Sequence, residues 1–241
     1  MPNSQGIAIM KLVVINPNST VSMTEKIVAA ARAVAAPGVE IEGRTATGAP
    51  ASIQGHHDEV MCAPHLLREV REAEEAGADA IVLACFDDPA LGACREVATG
   101  PVIGICEAGV KAASMIATSF SVVTTLPRSV PVIEDLVRGY GLAHRCRRVR
   151  SAAIPVLALE EPGSDARARV RDEILRAIEE DGCEAVVLGC AGMADLVAWL
   201  SEETGIPVID GVAVATKFAE ALVGAGLRTS KSGAYAQPET H

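Results

Sequence analysis

Gly77-Ala-Asp-Ala-Ile-Val-Leu-Ala-Cys85 and Gly182-Cys-Glu-Ala-Val-Val-Leu-Gly-Cys190 are two copies of one pattern. In each, a glycine suited to ending a helix leads into a short apolar run of strand-forming residues, and a cysteine follows that run. Downstream, Pro101-Val-Ile-Gly104 answers Pro207-Val-Ile-Asp210. Similarity recurring after about 100 residues indicates a duplicated supersecondary unit. One thiol per half then suggests two opposed acid/base groups around a single substrate carbon.

Working outward, Lys11 to Ile15 reads as a strand that ends in the capping turn Asn16-Pro-Asn-Ser-Thr20. A helix over Val21 to Val34, a strand over Val39 to Arg44, a polar loop over Thr45 to Gln54 and a helix over Asp58 to Ala76 follow. Ile81 to Ala84 and Pro101 to Ile105 complete four strands. The cycle restarts at Phe120 to Thr125, and Leu126-Pro-Arg-Ser-Val130 stands where the Asn16 turn stood. A helix over Val132 to Val137, a strand over Arg147 to Ala152 and a helix over Asp165 to Glu180 precede the strand that ends at Cys190. Val208-Ile209 is the last strand. Alternating strand and helix predicts an α/β protein with a parallel sheet in each half. The first half is expected to take residues 10–115 plus 211–228, because the helix over Val212 to Leu222 can cross back onto it. The second half is 116–210, and 1–9 and 229–241 are expected to be flexible ends. Ligands of such sheets bind beyond the carboxyl ends of the strands, where both thiols and both turns lie.

Composition agrees with that architecture. Apolar residues make up 49 % of the 241, but aromatics only 2 %. A core of Val, Ile, Leu and Ala suits parallel strands buried on both faces. The net charge, 21 − 31 = −10, argues against nucleic acid or an anionic membrane as partner. Arg145, Arg147, Arg148 and Arg150 read as a local solvated face. No apolar run approaches the roughly 20 residues that span a bilayer, and the first residues lack the order of a signal peptide. Seven cysteines without paired spacing predict free thiols in a cytoplasmic protein, and no CxxC or His/Cys cluster suggests a metal.

A thiol at a strand end beside a helix start is expected to ionise below its free value of about 8.5. A thiolate facing a thiol can remove a proton from one side of a carbon and return another on the opposite side, without metal or organic cofactor. Cys62, Cys94, Cys106, Cys146 and Cys183 read instead as small buried hydrophobes. Asp87 and Asp88 suit the cap of a helix starting there, and their charge opposes a thiolate at Cys85. Gly192 holds the position after Cys190 that Asp87 holds after Cys85, so the two sites are electrostatically unequal. The Asn16 turn offers donors for a carbonyl or an anion, and Thr124-Thr125 occupies the matching place. Ser52 lies in a loop expected to cover the pocket, ahead of His56-His57, a pair suited either to proton transfer or to solvent. There is no Gly-x-Ser-x-Gly elbow and no Gly-x-Gly-x-x-Gly fingerprint.

Ile15-Asn-Pro-Asn-Ser-Thr20, Ala84-Cys-Phe-Asp-Asp88, Ser119 to Thr125 and Gly189-Cys-Ala-Gly-Met193 resemble the hydantoin racemases, which belong with allantoin racemases in the aspartate/glutamate racemase superfamily. The resemblance runs from about Met10 to the tail. It implies two pseudo-symmetric flavodoxin-like halves, each a four-stranded parallel sheet flanked by helices, with the active site between them. It also implies cofactor-independent racemisation of a small hydantoin or allantoin-like substrate by a homo-oligomer, with Cys85 and Cys190 as the acid/base pair. Substrate contacts are implied at Asn16, Ser52, Ile53, Phe86, Thr124 and Thr125, and at Gly189 and Ala191 beside the second thiol. One departure is Gln54-Gly-His-His57, where many relatives carry an acid and bulky aromatics. Superfamily alternatives are amino-acid racemisation, arylmalonate decarboxylation and maleate isomerisation, and a sensor that has lost catalysis is a further class.

Overall fold

The computed structural model describes residues 9–161 and 163–239. Its first half runs β1 (Met10–Asn16), α1 (Val21–Val34), β2 (Val39–Thr45), α2 (His56–Glu75), β3 (Ala80–Leu83), α3 (Leu91–Val97), β4 (Val102–Gly104) and α4 (Ile105–Ile116). The second repeats it as β5 (Phe120–Thr124), α5 (Val130–Gly139), β6 (Cys146–Ser151), α6 (Ala166–Arg176), β7 (Ala185–Leu188), α7 (Val197–Thr204), β8 (Val208–Asp210) and α8 (Gly211–Gly224). The sheets have matching orders, β2-β1-β3-β4 and β6-β5-β7-β8. All pairings are parallel, so each strand-to-strand connection must cross over through a helix or long loop.

The central strands are buried along nearly their whole length: Leu12 to Asn16, Ala80 to Leu83, Phe120 to Thr124 and Ala185 to Leu188. Continuous burial explains why these segments are apolar runs rather than alternating strands. In α1 the buried positions Met23, Ile27, Val28 and Ala31 follow helical spacing. Gly77 and Gly182, which open the two copies of the motif, both adopt left-handed φ, +78° and +63°, which glycine reaches without a Cβ clash.

α8 packs on α1, α4, β3 and β4 of the first half. The segment after it, expected to be loose, is tied down through Tyr235. Thr229 N–H donates to Thr99 O, its hydroxyl to Gly100 O, and Lys231 Nζ to the carbonyls of Arg95 and Glu96 at the end of α3. The Arg95 guanidinium lies 5.9 Å from the Tyr235 ring centre. Unsatisfied helix-end carbonyls thus supply the anchor that the polar sequence did not suggest. Residues 1–8 and 240–241 of the expected flexible ends lie outside the described residues.

The arginine cluster divides. Arg147 and Arg148 are exposed, but Arg150 is buried on β6. Its guanidinium takes Asp181 at 2.6 Å through two nitrogens, Glu180 at 2.6 Å and Glu173 at 3.0 Å. The solvated reading fails at this position because three carboxylates from the end of α6 and the wide helical turn after it converge on it.

Candidate active site

β1 and β5 end in turns, and β3 and β7 end beside the two thiols, so both carboxyl edges face one cleft. The cleft is lined by Cys85, Phe86 and Asp87 from the first half, and by Thr124, Thr125, Ser129, Gly189, Cys190 and Ala191 from the second. Asn18, Met23, Ile53, Ala84 and Val156 close its walls. Of the residues singled out in the sequence, Cys85, Cys190, Ile53, Phe86, Thr124, Thr125, Gly189 and Ala191 meet here.

Asn16 and Ser52 do not line it. Asn16 is wholly buried, and its amide nitrogen reaches Asn18 Oδ1, Thr20 O and Thr24 Oγ1 at 2.9–3.1 Å. It braces the turn, whereas Asn18 is the amide at the cleft. Ser52 Oγ accepts from Gln54 Nε2 at 2.8 Å. The Ser52 loop is fastened to the Asn16 turn, since Ser19 N–H donates to Pro50 O and Thr20 Oγ1 to Ala51 O. His56 and His57 sit in the first turn of α2 with side chains about four-fifths exposed, 79 % and 81 %.

The two thiol segments differ. Cys190 caps a tight helical turn, Ala191–Leu196, whereas α3 starts only at Leu91, six residues after Cys85. Cys85 therefore does not sit at the start of the helix that follows it, contrary to expectation. Burial, then the charge of Asp87, push its thiol well above the ordinary cysteine range, against one Asp87 N–H that favours the thiolate. Asp87 is buried, and burial with the nearby Glu59 and Asp88 pushes its carboxyl up to about 7. Cys62 packs with Ala46, Ala49 and Ile53 against Cys85, and its thiol is pushed up to about 12 by burial, consistent with a small hydrophobe.

Gly189 sets the place of Cys190. A Cβ there would fall 2.8 Å from Thr124 Cβ, and Thr124 Oγ1 donates to Gly189 O at 2.9 Å. The chain leaving β7 can therefore pass close against the end of β5. Asp87, Asn18, Ser129 and Val156 also line the cleft, beyond the residues that the sequence singles out for it. Asn18 and Ser129 were within reach, being in the two matching turns, but nothing local in the sequence marks Val156. Among the described residues, no group of three or more His, Cys, Asp or Glu is placed to hold a metal ion, and no helix is long and apolar enough to cross a membrane.

The Asp/Glu/hydantoin racemase family model matches residues 12–219. A hydantoin racemase from Rhizobium meliloti is 54% identical over 229 residues, 95% of each chain. Another from Pseudomonas sp. (strain NS671) is 45% identical over 230 residues, 95% of this chain and 92% of the relative. The solved allantoin racemase from Klebsiella pneumoniae superposes with a TM-score of 0.95 at 48% identity, covering 96% of this chain and 95% of that one. With a duplicated parallel sheet, a thiol beyond the third strand of each half and a family match over most of its length, the chain belongs to the Asp/Glu/hydantoin racemase family and is an isomerase.

Proposed function

We propose that the protein racemises 5-substituted hydantoins by proton transfer at C5 between two cysteines, with no cofactor taking part. One observation carries this reading: Cys85 from one half and Cys190 from the other line the same cleft. The hydantoin racemases at 54% and 45% identity support the substrate class. The C5 proton lies next to a ring carbonyl, so its removal gives an enolate whose charge rests on that oxygen. Cys85, whose thiol resists ionisation, starts as the acid, and Cys190 takes the proton from the opposite face. The roles reverse for the other enantiomer. Thr125 and Ser129 hydroxyls and the Asn18 amide are donors at the cleft for ring oxygens, and the Asp87 carboxyl is an acceptor for a ring N–H. Proton transfer contributes about 10²–10⁴-fold, so positioning and charge stabilisation must supply the rest.

Allantoin is the second reading, favoured by the polar lining of Asn18, Asp87, Thr125 and Ser129 and by the 48% identical allantoin racemase. The seven free cysteines suit a reducing compartment, hence a cytoplasmic enzyme, and the family resemblance supports a homo-oligomer. Circular dichroism with L-5-benzylhydantoin and with allantoin, followed by NMR in D₂O, tests both substrates. Loss of optical signal with deuterium at C5 is expected for the true substrate. Cys85→Ala and Cys190→Ala should each lower racemisation by about 10³-fold or more; near wild-type turnover in either variant would sink the two-base scheme.

A further inference from the structure

Gly104 and Asp210 occupy equivalent places, each ending the fourth strand of its half and capping the helix that follows. Asp210 caps its own helix: Val212 N–H donates to Oδ1 at 3.0 Å and Ala213 N–H to Oδ2 at 2.9 Å. Gly104 has no side chain to do this. At α4 the same two positions, Cys106 N–H and Glu107 N–H, donate instead to Asp88 Oδ1 at 3.1 Å and Oδ2 at 2.9 Å. A Cβ built on Gly104 would lie 2.4 Å from Asp88 Cγ. The Asp88 carboxyl therefore occupies the space that a Gly104 side chain would need. A cap that is local in the second half is supplied in the first from the segment carrying Cys85.

That segment is held from three sides. Asp88 N–H donates to Cys85 O at 3.1 Å. Its carboxyl grips α4, and Tyr140 Oη, at the end of α5 in the second half, donates to Asp88 Oδ2 at 2.7 Å. Asp88 accepts a left-handed φ of +41° to make these bonds, a conformation that costs free energy in a residue with a Cβ. The corresponding residue after Cys190 is Met193, which makes the same backbone bond to the cysteine carbonyl but is an apolar, fully buried side chain. The tether thus exists on one side of the cleft.

We infer that Asp88 is a positioning residue: the cap it lends to α4, with the Tyr140 bond, fixes Cys85 relative to Cys190 across the two halves. This rests on the proposed role of Cys85 as an acid/base. The distinguishing variant moves the carboxyl rather than deleting it. Asp88→Ala with Gly104→Asp returns a cap to α4 from the place Asp210 uses, at an extended backbone position that any residue adopts (φ −80°), but leaves the Cys85 segment untethered. Its melting temperature should recover to near that of the wild type, whereas Asp88→Ala alone should melt lower.

The double variant should still show kcat reduced by about 10²-fold with KM little changed, as expected when a reacting group is misplaced by about 1 Å. Iodoacetamide should label Cys85, located by peptide mass spectrometry, about 10-fold faster than in the wild type, because local opening is easier. Recovery of both kcat and the labelling rate would reduce Asp88 to a helix cap and overturn the inference. If the double variant does not fold, Tyr140→Phe keeps both α4 bonds and removes only the link to the second half. Faster Cys85 labelling in Tyr140→Phe supports the tether, and an unchanged rate refutes it. Labelling needs no turnover, so an inactive wild type would overturn the proposed reaction and leave the tether to be judged by labelling.

Discussion

Asp87 follows Cys85 closely enough that its charge resists a thiolate there, and its own ionisation is delayed to about 7 by burial and by Glu59 and Asp88. In the unfolded chain an aspartate ionises near its free value of about 3.9. Between these values the unfolded state loses a proton that the folded state keeps, so stability falls as pH rises through the window and stays lower above it. Asp87→Asn removes this penalty. Its melting temperature relative to the wild type should therefore climb between pH 4 and pH 7, by a few degrees for about 1–2 kcal/mol. A difference that does not vary with pH would show that the carboxyl charge is not its source. Asp88 shifts in the same direction, to about 7, although two backbone N–H groups and Tyr140 favour its carboxylate. Burial outweighs the three bonds.

β6 is the strand whose character changed most between sequence and structure. Cys146-Arg-Arg-Val-Arg-Ser151 carries exposed arginines in its first half, then turns Val149 and Arg150 inward. Arg150 satisfies Asp181 and Glu173, both of which are almost out of solvent, and Asp181 also accepts from Ser121 Oγ. Arg150→Ala would take this cation from Asp181 and leave Glu173 with Arg176 alone. Urea melts should show a loss of about 3–5 kcal/mol, the usual result of breaking one side of a buried pair. A loss below about 1 kcal/mol would mean that the group behaves as an ordinary surface pair.

The two sheets do not make two separate cores. One apolar cluster joins Leu12, Val14 and Val82 of the first sheet to Phe120, Val122 and Val187 of the second through α4 and α8. The helices cross closely: a Cβ on Gly211 would fall 2.4 Å from Ile105 O, and one on Gly109 2.8 Å from Val187 Cγ1. With shared packing of this kind, the halves should unfold together. Scanning calorimetry is expected to give one transition whose calorimetric and van't Hoff enthalpies agree. Two resolved transitions would show that the halves are energetically independent.

The strand segments, the repeat and the two thiols were legible in the chain because buried parallel strands must be apolar runs, and those runs end in the same residue types twice. Gly77 and Gly182 announced the helix ends for a similar local reason: both need a left-handed φ. The sequence does not mark α4, and it marks α3 and α7 only as helix starts expected beside the two thiols. α3 and α7 span only 7 and 8 residues, and α4 follows β4 directly at Gly104, which brings no side-chain cap of its own. Asp88 looked like the cap of a helix beginning beside it, since capping is usually local. Its use at α4, like the entry of Val156 into the cleft and the burial of Arg150, depends on contacts between residues distant in sequence. Local propensity and apolar pattern therefore specify the strands, most of the helices and their place in the repeat. The environment of Cys85, from the missing helix start to the Asp88 tether, exists only once the halves pack, because burial and charge act through space rather than along the chain.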